Sequence, residues 1–161
     1  MEKRFIYVGT FDCDTFLGSY GIHAFEMDCQ TGALTKIEIQ NPGYNPDYLV
    51  TDTDKKFLFA SNDRQTRADV CAYQISSTGK LFLVSKLQLP GAGMASLEIS
   101  RDGRFLVAPY YETSAVGSCS VDGNGKLLKV VQQISLQGHG ITERQTKAHP
   151  HQVLFDREGK H

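Results

Sequence analysis

The 161-residue sequence has no tryptophan, only five prolines, and four cysteines that form no C-x-x-C pair. Cys13, Cys29, Cys71 and Cys119 lie 16, 42 and 48 residues apart. Their even number permits disulfides, but a chain this long can bury enough core to fold without them, so free thiols are the expectation. No apolar run approaches the roughly 18 residues of a membrane-spanning helix. The opening MEKRFIYVGTFD holds no long apolar stretch and no small-residue cleavage site, so it reads as a strand and not as a signal peptide. Without an address, the cytoplasm is the expected compartment. A basic excess is missing too, since 17 Lys and Arg stand against 18 Asp and Glu. Neutralising a row of phosphates requires that excess, so nucleic acid is not an expected partner. Neither G-x-x-x-x-G-K-[ST] nor G-x-G-x-x-G occurs, so no nucleotide cofactor is expected.

What the sequence does contain is a period. With 40% hydrophobic and 22% charged residues it has the composition of a folded chain. Gly32-Ala33-Leu34, Gly79-Lys80-Leu81 and Gly125-Lys126-Leu127 are G-x-L triplets 47 and 46 residues apart. Asp54-Lys55-Lys56-Phe57-Leu58-Phe59-Ala60 returns 48 residues later as Asp102-Gly103-Arg104-Phe105-Leu106-Val107-Ala108, and a third copy begins at Glu158-Gly159-Lys160. Between these markers run short segments rich in β-branched and aromatic residues: YLVTD, KFLFAS, DVCAYQI and LFLVSKLQL, then SLEIS, RFLVAPYY, AVGSCSV and LLKVVQQISL. Turn residues separate them, as at Ser77-Thr78-Gly79 and Asp122-Gly123-Asn124-Gly125. No amphipathic helix of ten or more residues is evident.

An all-β chain of four-stranded antiparallel units repeating at this interval predicts a β-propeller. The boundaries fall at about 1–41 (an incomplete unit), 45–90, 94–137, and 148–161 (a first strand only). That is about 3.4 units, where a closed ring needs about 4 to 8. The remaining blades are therefore expected C-terminal to His161. Lone incomplete units would present open strand edges.

The chain resembles the lactonase family of seven-bladed propellers, which includes bacterial 6-phosphogluconolactonases and fungal carboxymuconate cyclases. The resemblance is carried by YVGT at Tyr7 to Thr10, GIHAFEMDCQTGALT at Gly21 to Thr35, NPDYL at Asn45 to Leu49, and SRDGRFLVAPY at Ser100 to Tyr110. Its most selective part is ERQTKAHPHQVLFDREGK at Glu143 to Lys160. It implies the N-terminal half of a cytoplasmic enzyme that hydrolyses a sugar-acid lactone, 6-phosphogluconolactone to 6-phosphogluconate, in pentose phosphate metabolism. A cycloisomerase that forms a lactone, or a binding propeller without chemistry, are the alternatives. Two positions depart from the family pattern: Ser96 stands where a histidine is common, and Pro109 where an asparagine is common.

His149 and His151 are the leading candidates. Two apart in an extended strand, they would point to one face. Side chains that titrate near neutrality suit proton transfer from a water attacking a carbonyl. The same spacing suits a metal, or a pair of hydrogen-bonded structural residues. The resemblance favours the first use, with His151, alongside His149, accepting the proton and no metal required. Arg144 lies in a long polar connection, residues 138–147, and its donor fork suits a phosphate, a carboxylate or an oxyanion, unless an ion pair with Glu143 or Glu112 occupies it. Glu143 and Gln145 flank it as candidate substrate contacts. Asn45 at a strand entrance and Asn62 at a strand end, beside Asp63, complete the set. Arg64 and Arg67 read as a solvated loop, and His139, between two glycines, as a mobile loop residue.

Overall fold

The structure is a computed structural model that describes residues 4–11, 21–41, 43, 45–64 and 66–156. Cys13 and the third turn copy at Glu158-Gly159-Lys160 lie outside the described residues. Eleven strands and no helix are found within them. A three-stranded sheet holds β1 (Arg4–Val8), β2 (Ile22–Met27) and β3 (Leu34–Gln40) in that order. A four-stranded sheet follows, with β4 (Leu49–Thr51), β5 (Phe57–Arg64), β6 (Arg67–Ile75) and β7 (Leu81–Leu89). The third sheet repeats this order with β8 (Glu98–Ile99), β9 (Phe105–Tyr110), β10 (Ala115–Val121) and β11 (Leu127–Ser135). Every pairing is antiparallel between consecutive strands. This is the meander of propeller blades that the 47-residue period predicts, in a partial array. Arg64 and Arg67 differ from their reading as loop residues: they pair with each other at the tip of a tight hairpin, and Arg67 binds Asp69 at 3.0 Å.

Strand alternation explains why DVCAY is continuously apolar. Ala68, Val70 and Ala72 of β6 enter the core shared with the third sheet, whereas Cys71 and Tyr73 enter the core shared with the first. A strand buried on both faces has no room for polar alternation. Each large side chain so buried contributes roughly 1.5–3 kcal/mol. Cys71 and Cys119 are free thiols inside these cores, and burial raises both thiol pKa values, Cys119 to about 12.

The G-x-L triplets mark the joints between sheets. Gly79 and Gly125 adopt φ of 78° and 73°, the left-handed turn conformation that favours glycine. They carry a second constraint, because a Cβ at Gly79 would strike the Phe5 ring and one at Gly125 the Phe57 ring. Polar contacts reinforce both joints. The Tyr7 hydroxyl donates to the Gly79 carbonyl at 2.9 Å, and the Glu38 carboxylate accepts the Leu81 amide at 2.7 Å. At the next joint the Ser85 hydroxyl accepts the Leu127 amide at 2.9 Å.

Antiparallel order places the ends of β5 and β9 beside the starts of β4 and β8. The connections that lead into each sheet, including the long one at 136–148, reach this same rim. The candidate residues are distributed along it.

Candidate active site

The rim is built by one repeated arrangement. Asp63, at the end of β5, donates its amide to the Asn45 carbonyl of the segment leading into its own sheet, at 3.4 Å. Tyr111, 48 residues later, does the same to Gly93 at 2.7 Å. Each then reaches across to the next lead-in segment. Asp63 Oδ2 accepts the Met94 amide at 3.2 Å, and the Tyr111 carbonyl lies 3.0 Å from His149 Nδ1.

Tyr111 brings the two candidate histidines together. Its ring stacks on His149 with centroids 4.2 Å apart and planes 26° from parallel. His151 meets the same ring edge-on, at 5.7 Å and 83°. The expectation that strand alternation alone aligns the two imidazoles does not hold. Residues 148–156 have no strand pairing among the described residues, and His149 has φ of 48°, outside the extended region. The tyrosine ring, not the pleat, is what the two have in common. His149 is half-buried and its amide points to the Ser114 hydroxyl at 3.5 Å, whereas His151 is exposed.

The connection before them folds on itself. Gln145 accepts the Gly140 amide at 2.7 Å, donates its own amide to Thr142 at 3.0 Å, and donates its side-chain amide to the Lys147 carbonyl at 2.8 Å. Lys147 Nζ in turn donates to the Glu112 carbonyl at 2.9 Å, which ties the connection to the rim beside Tyr111. His139 Nδ1 is 3.3 Å from the Gly140 carbonyl. Arg144 and Glu143 are exposed on this connection, and no ion pair joins Arg144 to Glu143 or Glu112 among the described residues.

Asn45 and Asn62 lie one sheet away. Asn62 is 1% exposed, and neither of its amide atoms has a hydrogen-bond partner among the described residues. Asp63 beside it is half-buried, and burial, followed by the nearby Asp47 charge, raises its pKa from 3.8 to about 6. The Ser61 hydroxyl donates to Asp47 Oδ1 at 2.6 Å and holds that charge in place. Among the described residues no group of three His, Cys, Asp or Glu side chains is placed to hold a metal ion.

Both departures from the family pattern have a structural account. Ser96 is fully buried and its hydroxyl accepts the Val153 amide at 3.2 Å, fastening the segment that carries the histidines. Pro109 lacks an amide proton, but its carbonyl accepts from Ala95 at 3.3 Å. A strand residue's N and C=O face one side, so the proline nitrogen faces the loose lead-in segment and costs β10 no ladder bond.

Tyr111 and Asp47 are the rim residues that motif reading misses. The signal for both was present in the period. Tyr111 occupies the repeat position of Asp63, and Asn45-Pro46-Asp47-Tyr48-Leu49 is repeated in form as His149-Pro150-His151-Gln152-Val153. Asp47 and His151 thus stand at equivalent places.

Comparison with known proteins extends these observations. Residues 5–161 match the family described as lactonase, 7-bladed beta-propeller. The chain is 29% identical over 159 residues to a 6-phosphogluconolactonase of Bacillus subtilis, covering 98% of this chain and 45% of that protein. It is 28% identical over 154 residues to a 6-phosphogluconolactonase of Formosa agariphila, covering 89% of this chain and 44% of the relative. The solved structure of a periplasmic gluconolactonase of Pseudomonas aeruginosa superposes with a TM-score of 0.86 at 26% identity, over 98% of this chain and 46% of that one. The chain spans less than half the length of these relatives.

Proposed function

The chain belongs to the lactonase family of seven-bladed β-propellers, and on that footing we propose that the whole protein hydrolyses a sugar-acid lactone, first among them 6-phosphogluconolactone. The observation that carries this reading is the pair of imidazoles gathered on one tyrosine ring at the rim. Water attacks the lactone carbonyl while the His149–His151 pair takes its proton, giving a tetrahedral oxyanion. Collapse breaks the ring C–O bond, and the same proton passes to the leaving alkoxide, leaving a carboxylic acid that ionises in water and a free hydroxyl. Arg144 binds the substrate's anionic group or steadies the oxyanion. Glu143 and Gln145 shape the connection around it, and Asn45 and Asn62 contribute from the neighbouring sheet. No cofactor takes part in this scheme.

Blades C-terminal to His161 supply the opposite wall of the site in this proposal. A phosphorylated substrate goes with a cytoplasmic location, and fractionation of producing cells checks it. No described helix is long and apolar enough to cross a membrane. A non-catalytic binding propeller is the second reading, favoured by the serine at position 96, whose hydroxyl is already engaged by Val153. Hydrolysis of 6-phosphogluconolactone by the whole protein, measured against the spontaneous rate, decides between them. A rate equal to the spontaneous one overturns the enzyme reading.

A further inference from the structure

We infer that the Tyr111 carbonyl and ring lock His149 in the tautomer that leaves Nε2 bare, so that His149 is the base and Tyr111 its positioning residue. The assignment of a base rests on the lactone-hydrolysis reading; the tautomer does not.

His149 Nδ1 lies 3.0 Å from the Tyr111 carbonyl oxygen. A carbonyl oxygen offers only lone pairs, so Nδ1 must carry the proton. A neutral imidazole has one N–H, and the lone pair is thereby assigned to Nε2. The ring cannot evade this by turning over. A flip about its terminal torsion would replace Nδ1 with a carbon and forfeit the bond. The Tyr111 ring, 4.2 Å away and nearly parallel, covers one face throughout.

The backbone is constrained to match. His149 holds φ of 48° and precedes Pro150, a combination disfavoured for a side-chain-bearing residue. Such conformations persist where surrounding contacts over-determine them. Here the contacts are the Tyr111 stack, the Tyr111 carbonyl and the Ser114 hydroxyl. Ser114 is itself at φ 53°. Ser114 thus holds the His149 backbone amide while Tyr111 holds its ring.

His151 has none of this. It is exposed, it touches Tyr111 only edge-on, and no hydrogen bond fixes either of its ring nitrogens among the described residues. A base that must present its lone pair in one direction gains from being held beforehand. Of the two, His149 meets that condition.

The test uses the whole protein labelled with 15N at histidine. His149 is expected to show a protonated Nδ1 and a bare Nε2 when neutral, in wild type and in Tyr111→Phe. Tyr111→Ala keeps the carbonyl but removes the stack that holds the imidazole against it, and is expected to let the two tautomers interchange, with kcat for 6-phosphogluconolactone falling about tenfold or more and KM little changed. His149→Ala should lose about a hundredfold in kcat, and His151→Ala less than tenfold. A His149 protonated at Nε2 overturns the inference whether or not the protein is a lactonase. If the tautomer is as stated and His151→Ala is the more damaging change, His149 is not the base and the inference fails at that step. A correct tautomer in a protein without lactonase activity leaves the lock standing and removes the lactonase reading instead.

Discussion

Asp63 ties its sheet to the next one, accepting the Met94 amide on a carboxylate oxygen 3.2 Å away. The other oxygen, Oδ1, is buried and has no partner among the described residues. Asp47 and Glu112 both add negative charge nearby.

This arrangement makes stability depend on pH. Burial above all, with Asp47 second, places the folded-state pKa at about 6, above the ordinary 3.8. Between those values the folded chain keeps a proton that the unfolded chain has lost. Stability therefore falls as pH rises from about 4 to about 6 and is level beyond that. The loss is on the order of 1 kcal/mol once solvent screening of this half-buried group is allowed for. Asp63→Asn retains an oxygen for the Met94 amide and should abolish the slope. Urea midpoints of both proteins across this pH range check it, and a flat wild-type profile contradicts it.

Arg144 and the histidines should separate kinetically. An anion-holding residue acts on the ground state as well as the transition state, so Arg144→Ala is expected to raise KM by about tenfold or more. Arg144→Lys should recover only part of it, because a point charge does not replace a planar fork. Steady-state rates with 6-phosphogluconolactone provide the measurement. An unchanged KM in Arg144→Ala would remove this residue from the proposed site.

Tyr110 is wedged between two glycines. A Cβ at Gly91 or at Gly117 would run into its ring, which is fully buried. Gly91→Ala should therefore destabilise by about 1–3 kcal/mol through overpacking. Gly123, where nothing lies within 4 Å, is the control, and Gly123→Ala should change stability by less than about 0.5 kcal/mol. Denaturant melts of the two variants make the comparison.

Ser96→Ala removes the acceptor of the Val153 amide and should cost about 1 kcal/mol. The effect should be local. Hydrogen exchange at Val153 is expected to accelerate, while amides in β6 keep their protection. Uniform acceleration would mean that Ser96 supports the whole array instead of the histidine segment.

Much of the architecture is legible in the sequence. The G-x-L triplets and the repeated D-x-[KR]-F-L segments placed strands on either side of them, because turn glycines and alternating apolar residues are local features. The histidine pair was also visible, since H-x-H is a short motif. Its geometry was not. A positive φ at His149 and the ring of Tyr111 are separated from each other by 38 positions, and only the folded chain brings them together. Arg64 and Arg67 belong to strands and not to a loop for a related reason: two charged residues around a polar pair look like a loop, yet hairpin pairing needs only backbone atoms. Arg67 is exposed, as a solvated face predicts.

The joints carry a further consequence. Phe5 covers Gly79 and Phe57 covers Gly125, each ring from one unit closing over the bare backbone of the next. Gly32 has open space above it, and Phe105 remains 39% exposed. Every unit thus brings a knob for its successor and a socket for its predecessor. A tandem gene duplication copies both halves of the joint in a single event, so an added unit meets neighbours it already fits. Growth of such an array by whole units needs no new interface, whereas loss of one socket glycine interrupts the series at that point.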